Sequence, residues 1–258
     1  MKPNALVLQA RGTNRDFDVM NALTLAGADA VGVPLNELLI QKTLFRDFQL
    51  LVLPGGFSYA DALGAGKLLA IDLNTYFIEE ITAFVEAGKP VIGICNGFQA
   101  LIKSGIFSSE KANGSTQSVT LTFNAQGHFE CRWVTIRPVS ETCLWTKGLD
   151  EAIICPIAHG EGNFQVSDKY RVSDLESQIA LAYVSADDSP ANGAYPDNPN
   201  GSLLDIAGIC NPQGNVLGLM PHPENHIFAY QHPRHTRGKT GRSGLALFQN
   251  GVKYAAQM

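Results

Sequence analysis

Pro90-Val91-Ile92-Gly93-Ile94-Cys95-Asn96-Gly97-Phe98-Gln99-Ala100-Leu101 is the stretch on which the fold turns. The short apolar run 91–94 reads as a fully buried strand. Phe98, Leu101 and Ile102 then recur at helical spacing, so a helix follows at once. Between them lies Gly-Ile-Cys-Asn-Gly, with one cysteine at the apex. This is the cysteine form of the G-x-S-x-G nucleophile elbow, in which a reactive side chain projects from a sharp strand-to-helix turn. Gly93 and Gly97 remove the Cβ atoms that would clash where strand and helix cross. A thiol at a helix N-terminus also has its thiolate favoured by the helix dipole. Most free cysteines are small buried hydrophobes, but the paired glycines and the strand-then-helix pattern favour a nucleophile here. A nucleophile needs a base, an orienting group and an oxyanion hole.

Working outward toward the N-terminus, 5–9 reads as a buried strand and 16–26 as a helix ending at Gly27. Residues 30–33 read as a second strand. Residues 48–53 read as a third, stopped by Pro54-Gly55-Gly56. Helical patterns cover 66–72 and 77–87, the latter closed by Gly88. Strands alternating with helices imply right-handed βαβ units and a parallel sheet. In such sheets the ligand crevice lies beyond the carboxyl ends of the strands. Pro54-Gly55-Gly56 and Cys95 both fall at such ends and are expected to face one crevice.

Toward the C-terminus the pattern changes. Residues 118–123, 130–137, 153–157, 178–184 and 206–210 carry strand signals with little helix between, and 216–220 reads as a last buried strand. These are read as added strands, some of them antiparallel. Residues 187–202, rich in Asp, Asn, Pro and Gly, read as a surface loop, and 244–255 as a closing helix. No boundary splits the chain, so 1–258 is expected to form a single domain.

The composition is that of a globular protein: 258 residues, 45% hydrophobic and 17% charged. A net charge of −5 argues against nucleic-acid binding. No apolar run approaches the ~20 residues of a membrane span. Neither is there a signal-peptide pattern at the N-terminus. Five cysteines, Cys95, Cys131, Cys143, Cys155 and Cys210, are odd in number and form no C-x-x-C pair. That suits a reducing cytoplasm better than a disulfide framework or a zinc site.

Strand 216–220 runs into Pro221-His222-Pro223-Glu224. A His that takes a proton from a thiol needs its other ring nitrogen held by an acceptor. In extended backbone His222 and Glu224, two apart, share a face, and the two prolines are expected to hold the segment out of helix. By itself His-x-Glu is commonly a weak surface ion pair; after a buried strand, in a chain with a cysteine elbow, it reads as the base and its orienter. Gly55 and Gly56 let the backbone approach a ligand and aim an N–H inward. With the N–H of Asn96, that of Gly56 would complete an oxyanion hole.

Pro-Gly-Gly, Gly-Ile-Cys-Asn-Gly-Phe-Gln and Pro-His-Pro-Glu, in this order, resemble the class I (triad) glutamine amidotransferases. Longer runs strengthen the likeness: 54–61, Phe129-Glu130-Cys131-Arg132-Trp133-Val134, Ala158-His159-Gly160-Glu161-Gly162, Asn200-Gly201-Ser202 and 214–224. These finer runs are similar to glutaminase subunits of de novo purine synthesis, and the matches extend from about Gly12 to the C-terminal helix. The resemblance implies a flavodoxin-like α/β fold, an open, mostly parallel sheet with helices on both faces and added antiparallel strands. It implies glutamine hydrolysis to glutamate and ammonia, with Cys95 as nucleophile, His222 as base then acid, and Glu224 orienting it. Gly56 and Asn96 would hold the oxyanion, and Gly55, Phe57, Gln99, His159 and Glu161 would contact substrate. No metal or cofactor is expected in this chain; ATP and magnesium belong to a separate synthetase subunit that takes the ammonia, often together with a small third protein. That synthetase would convert formylglycinamide ribonucleotide to the amidine.

Two segments depart from the pattern. Arg11 stands where the family usually has Pro, which bears on partner contact more than on chemistry. Residues 231–242 are unusually basic, with Arg234, Arg237, Lys239 and Arg242. They are read as a solvated loop, one that a basic patch fits for steering a partner. Gly238-Lys239-Thr240 lacks the first Gly of a P-loop, since Pro233 occupies that place. His226, His232 and His235 have no companions at ligand spacing. Asp187-Asp188 is read as solvated.

Overall fold

A computed structural model describes residues 1–107, 119–167 and 175–258. A nine-stranded sheet in the order β2-β1-β3-β4-β11-β10-β9-β6-β7 forms its backbone. The strands are β1 Asn4–Gln9, β2 Asp29–Pro34, β3 Leu50–Leu53, β4 Val91–Ile94, β6 Glu130–Pro138, β7 Ile153–His159, β9 Ile179–Val184, β10 Ile206–Cys210 and β11 Val216–Leu219. β5 (Val119–Thr122) and β8 (Asn163–Val166) form a separate antiparallel pair. Ser118, part of the expected strand 118–123, lies outside the described residues.

The first five strands of the order are parallel, as the alternation of strands and helices predicts. The remaining pairings are antiparallel. β3, β4, β10 and β11 are buried at every residue, which is why they read as unbroken apolar runs. Helix α1 (Asp16–Ala26) packs on α6 (Leu245–Ala255). Helix α3 (Lys67–Asp72) packs on α5 (Asn96–Ser104), which lies along β3, β4 and β11. The small β5–β8 sheet contacts α5 through β5.

The structure differs from the sequence reading in several places. The two helices expected at 66–72 and 77–87 join through a π-helical turn, Leu73–Phe77, ahead of α4 (Ile78–Glu86). A further helix, α2 (Leu35–Ile40), follows β2 directly, its pattern too short to detect by period. β8 was not expected, because Asn163-Phe164-Gln165-Val166 offers only two apolar residues and no continuous apolar run. The surface-loop reading of 187–202 fails at its second half: Asn198, Asn200 and Ser202 are buried, their polar groups paired with one another and with Gly162. A polar composition marks a loop, but it cannot tell a solvated loop from one whose amides are satisfied internally.

Candidate active site

β4 ends at Ile94, and Cys95 turns the chain with φ 49° and ψ −105°. A non-glycine residue held there costs about 1–3 kcal/mol, so the surroundings must enforce it. They do so tightly. The Cys95 N–H donates to the Leu219 carbonyl on β11 at 2.8 Å, and its own carbonyl accepts the Gln99 N–H at 2.9 Å. A Cβ on Gly97 would stand 1.9 Å from the Leu53 carbonyl oxygen, and one on Gly93 would stand 2.9 Å from that of Gly97. Both elbow glycines are therefore dictated by backbone passing backbone. Cys95 Sγ is nearly buried and lies 3.8 Å from the Ala158 carbonyl oxygen.

β11 pairs with β4 residue for residue, which carries Pro221 and His222 to the same end of the sheet as Cys95. The His222 N–H donates to the Pro156 carbonyl at 2.8 Å. Its ring Nδ1 lies 2.7 Å from Glu224 Oε1, and both side chains are buried. The expected extended geometry is corrected: Pro223–Asn225 is a turn of 3-10 helix with Pro223 at its first position. Proline fits there because that N–H has no helical partner in any case. The tight turn, rather than a shared strand face, brings the carboxylate back to the ring.

Burial works against a charge on His222. The Glu224 carboxylate and the Cys95 sulfur, by charge and hydrogen bonding, overcome it and raise the imidazole to about 10.

Gly55 makes room for His222, since a Cβ there would stand 2.7 Å from its Cε1. Gly56 adopts φ 139°, open to glycine alone, and a Cβ would meet the Asn14 backbone nitrogen at 2.7 Å. The first loop braces this turn: Phe57 N–H donates to Gly12 O at 3.1 Å, Tyr59 N–H to Arg11 O at 2.6 Å, and Thr13 bridges Gly56. Asn96 opens α5, where a first-turn N–H has no partner within the helix. Its side chain is locked, with Oδ1 accepting the Ser58 N–H at 3.1 Å and Nδ2 donating to Asp61 at 2.8 Å and Gln99 Oε1 at 3.1 Å.

A cleft of about 160 Å³ opens over Cys95, walled by Gly56, Phe57, Gln99, His159 and Glu161 among others. Gln99 Nε2 donates to the Glu161 carbonyl at 2.6 Å. Glu161 in turn accepts the Ala65 N–H at 3.2 Å and pairs with Lys103 at 3.4 Å. Phe57 and Phe129 stack at the rim with centroids 6.5 Å apart, and Phe123 beside them is exposed. A larger depression of about 340 Å³ between Phe45 and Phe84 shares no residue with this cleft and contains no thiol or imidazole.

All the residues singled out in the sequence are thus gathered, with Gly55 serving His222. The sequence reading missed Asn124, which holds His159, and Ser58 and Asp61, which hold Asn96. Ser58 and Asp61 lie in the run 54–61 that carries the family likeness, but a short polar residue near a turn commonly serves local backbone, so nothing in the sequence gives any of the three this role. It also took Asp188 as solvated and Arg242 as part of a solvated basic loop. The two instead form a bidentate pair at 2.9 and 2.7 Å, joined by Arg137 at 3.5 Å. His232, within the segment read as a solvated loop, is buried ring to edge against the buried His226.

Comparison with known proteins bears on this geometry directly. The model of the CobB/CobQ-like glutamine amidotransferase domain matches residues 2–255. The PurQ subunit of phosphoribosylformylglycinamidine synthase from Treponema denticola is 52% identical, over 98% of this chain and 99% of that one. The PurQ subunit from Dehalococcoides mccartyi is 42% identical, over 100% and 99%. Among solved structures, PurLQS from Thermotoga maritima superposes with a TM-score of 0.74 at 33% identity, covering 98% of this chain and 99% of that one. The glutaminase domain of Trypanosoma brucei CTPS, at 12% identity and a TM-score of 0.58, shares the fold. Near full-length identity to PurQ subunits, on a sheet that places Cys95 at a strained elbow, leads to one conclusion: the chain belongs to the glutamine amidotransferases, in the family of PurQ subunits of phosphoribosylformylglycinamidine synthase.

Proposed function

We propose that this chain is a glutaminase that hydrolyses glutamine to glutamate and ammonia and delivers the ammonia to a synthetase subunit of the PurL type. The observation that carries the reading is the left-handed Cys95 beside a buried His222–Glu224 pair at 2.7 Å. The Cys95 thiolate attacks the side-chain amide carbon, and the N–H groups of Gly56 and Asn96 receive the developing oxyanion. His222 gives its proton to the departing nitrogen as the C–N bond breaks, leaving a γ-glutamyl thioester and ammonia. Water then loses a proton to His222 and attacks the thioester, and collapse returns the thiolate and frees glutamate. Glu224 keeps the imidazolium oriented through both steps. Gln99, Glu161 and Phe57 hold the glutamine. ATP and magnesium act on the synthetase, where formylglycinamide ribonucleotide becomes the amidine, and a small PurS-type protein joins the complex. The setting is the cytoplasm.

Glutamate release from glutamine, with and without a PurL-type synthetase, ATP and formylglycinamide ribonucleotide, tests this reading. The wild type should show partner-stimulated release, and Cys95→Ala should lose at least about 10⁴-fold. Glutamine hydrolysis indifferent to that synthetase would sink the purine assignment alone. Absence of hydrolysis in the assembled wild type would sink the glutaminase.

A further inference from the structure

Past the ends of β3 and β4 the sheet ladder no longer sets the spacing of the chain. The last rung between them joins Leu53 to Gly93. Gly56 and Asn96, whose N–H groups receive the oxyanion in the proposed reaction, each lie three residues beyond it. Both donors must reach one oxygen, so the two segments need a tie outside the sheet. The side chain of Asn96 spans the gap. Its Oδ1 accepts the Ser58 N–H at 3.1 Å and the Ser58 Oγ–H. Its Nδ2 donates to Asp61 at 2.8 Å and to Gln99 Oε1 at 3.1 Å. Both acceptor sites and both N–H groups of the carboxamide are thereby used. A flipped amide would set its NH₂ against the Ser58 N–H and its oxygen against the Asp61 carboxylate, so one orientation is workable.

Segment 57–61 is bent to make this contact. Tyr59, Ala60 and Asp61 have φ of 55°, 54° and 52°, three consecutive residues in the left-handed region that residues with a Cβ avoid. Such strain persists where the surroundings enforce it, and it gathers at functional sites. The turn brings Asp61 back beside Ser58, so that both meet one carboxamide. Successive N–H groups go to opposite walls: Phe57 to Gly12, Ser58 to Asn96 and Tyr59 to Arg11. A serine hydroxyl in a turn commonly bonds nearby backbone; this one bonds a side chain 38 residues away. Ser58 and Asn96 are each 2% exposed. Among the described residues, Ser58 is not one of those that wall the cleft over Cys95.

Resting on the glutaminase reading, we propose that Ser58 is a positioning residue for the oxyanion hole: through the Asn96 carboxamide it fixes the N–H of Asn96 against that of Gly56. Gly56 has no side chain by which to be held, and its φ of 139° is open to glycine alone. The tie therefore comes from a neighbour, and Ser58 is the first residue after Gly56 with a polar side chain. As Cys95 Sγ bonds to the amide carbon, the electron pair of the C=O bond moves onto oxygen. That charge then meets two donors whose separation is already set. Preorganisation of this kind acts where charge develops and adds little to ground-state binding. Ser58 touches no reacting atom; its effect is the place of Asn96.

The test uses the assembled complex with the synthetase and compares two reactions of Cys95. One is glutamine turnover. The other is alkylation by iodoacetamide, followed on the Cys95 peptide by mass spectrometry, a displacement at carbon that forms no oxyanion. In Ser58→Ala, kcat should fall about 10-fold with KM within about 2-fold, and the alkylation rate should stay within about 2-fold. Asn96→Ala keeps its backbone N–H and loses the whole tie, so its kcat should fall further. Adding Ser58→Ala to it should then change kcat by less than about 2-fold, as for two residues acting as one unit. Asn96→Ser, too short to reach Ser58, takes its place in that cycle if the Ala variant fails to assemble. An unchanged kcat in Ser58→Ala would overturn the proposal, as would a loss confined to KM or independent losses in the double variant. Parallel losses of turnover and alkylation would overturn it too, because a general disturbance at Cys95 moves both. A wild-type complex that leaves glutamine intact while Cys95 alkylates normally would remove the glutaminase reading and this assignment with it.

Discussion

The parallel and antiparallel halves of the sheet do different work. Strands β3, β4 and β11 deliver the groups to which the proposed reaction is assigned, Gly56, Cys95 and His222, at three adjacent strand ends. Strands β6 and β7, with the β5–β8 pair, deliver the opposing wall: His159, Glu161, Phe123 and Phe129. In the first half the chemistry sits on backbone geometry, namely a strained turn, glycines without room for a Cβ, and a clamped His-Pro-Glu turn. In the second half it sits on buried amides, Asn124, Asn198 and Asn200, that satisfy loop backbone and aim one imidazole. The division suits the requirement. A nucleophile and base must be held to within tenths of an ångström, and all-parallel strands buried on every side do this. A wall that selects a substrate and meets a partner is built more freely from loops.

Substitutions in the two halves should separate these roles. After Cys95→Ala, the largest effect is expected from Glu224→Gln, which removes the charge that sustains the His222 imidazolium; glutamine turnover should drop about 10³-fold. The pH dependence should change with it. His222 is raised in the folded chain from an ordinary 6.5 to about 10. The ion pair therefore stabilises the fold in full below 6.5, and that stability fades as pH climbs to about 10. In Glu224→Gln the alkaline limb of turnover should move down toward neutral, and unfolding should lose most of this pH dependence. A limb that stays where it was would show that Cys95 alone holds the proton on His222.

Gly97→Ala comes next. Its Cβ would overlap the Leu53 carbonyl at 1.9 Å, so urea unfolding should show a loss of about 3 kcal/mol or more. A loss under about 1 kcal/mol would mean that the elbow helix can shift and that the parallel half is less rigid than drawn. In the other half, Asn200→Ala strips donors from Gly162 O and Tyr183 Oη, at 2.9 and 3.2 Å, and an acceptor from Ser202. It should cost about 1–3 kcal/mol in stability while kcat/KM shifts only a few-fold; a larger catalytic loss would erase the contrast between the halves. Smallest is Arg242→Ala. Its pair with Asp188 is partly exposed, so the loss should stay within about 1 kcal/mol and shrink in salt. A greater loss would make residue 242 a structural anchor of the basic segment.

Within the parallel half almost everything was legible in the sequence. Helix 16–26 and strand 91–94 have the bounds that the pattern predicts. Buried parallel strands must be apolar throughout, and helices between them must cap and stop at glycines such as Gly27. Cys95, His222, Glu224, Gly56 and Asn96 could be picked out because strand-end chemistry constrains neighbours in sequence, two or four positions apart. The 3-10 turn at Pro223 escaped because X-Pro reads equally as extended chain or as the start of a helical turn.

The antiparallel half was legible as strands and opaque as a site. His159 stood out in a His-Gly-Glu-Gly run, but its tautomer depends on Asn124, and Asn124 on three backbone groups brought in from the β7–β8 loop and its own turn. Asp188, read as solvated, found Arg242 and Arg137 across the fold. Local sequence by itself determined the elbow, the glycines that permit it, the pairing of His222 with Glu224, and the order of the parallel strands' elements. Those follow from covalent geometry and short-range sterics. Only the tertiary structure decided that β11 lies beside β4 so that His222 meets Cys95, and that a buried amide holds the ring of His159. These contacts join residues far apart in the chain, and hydrogen-bond direction is settled only when all the partners are in place.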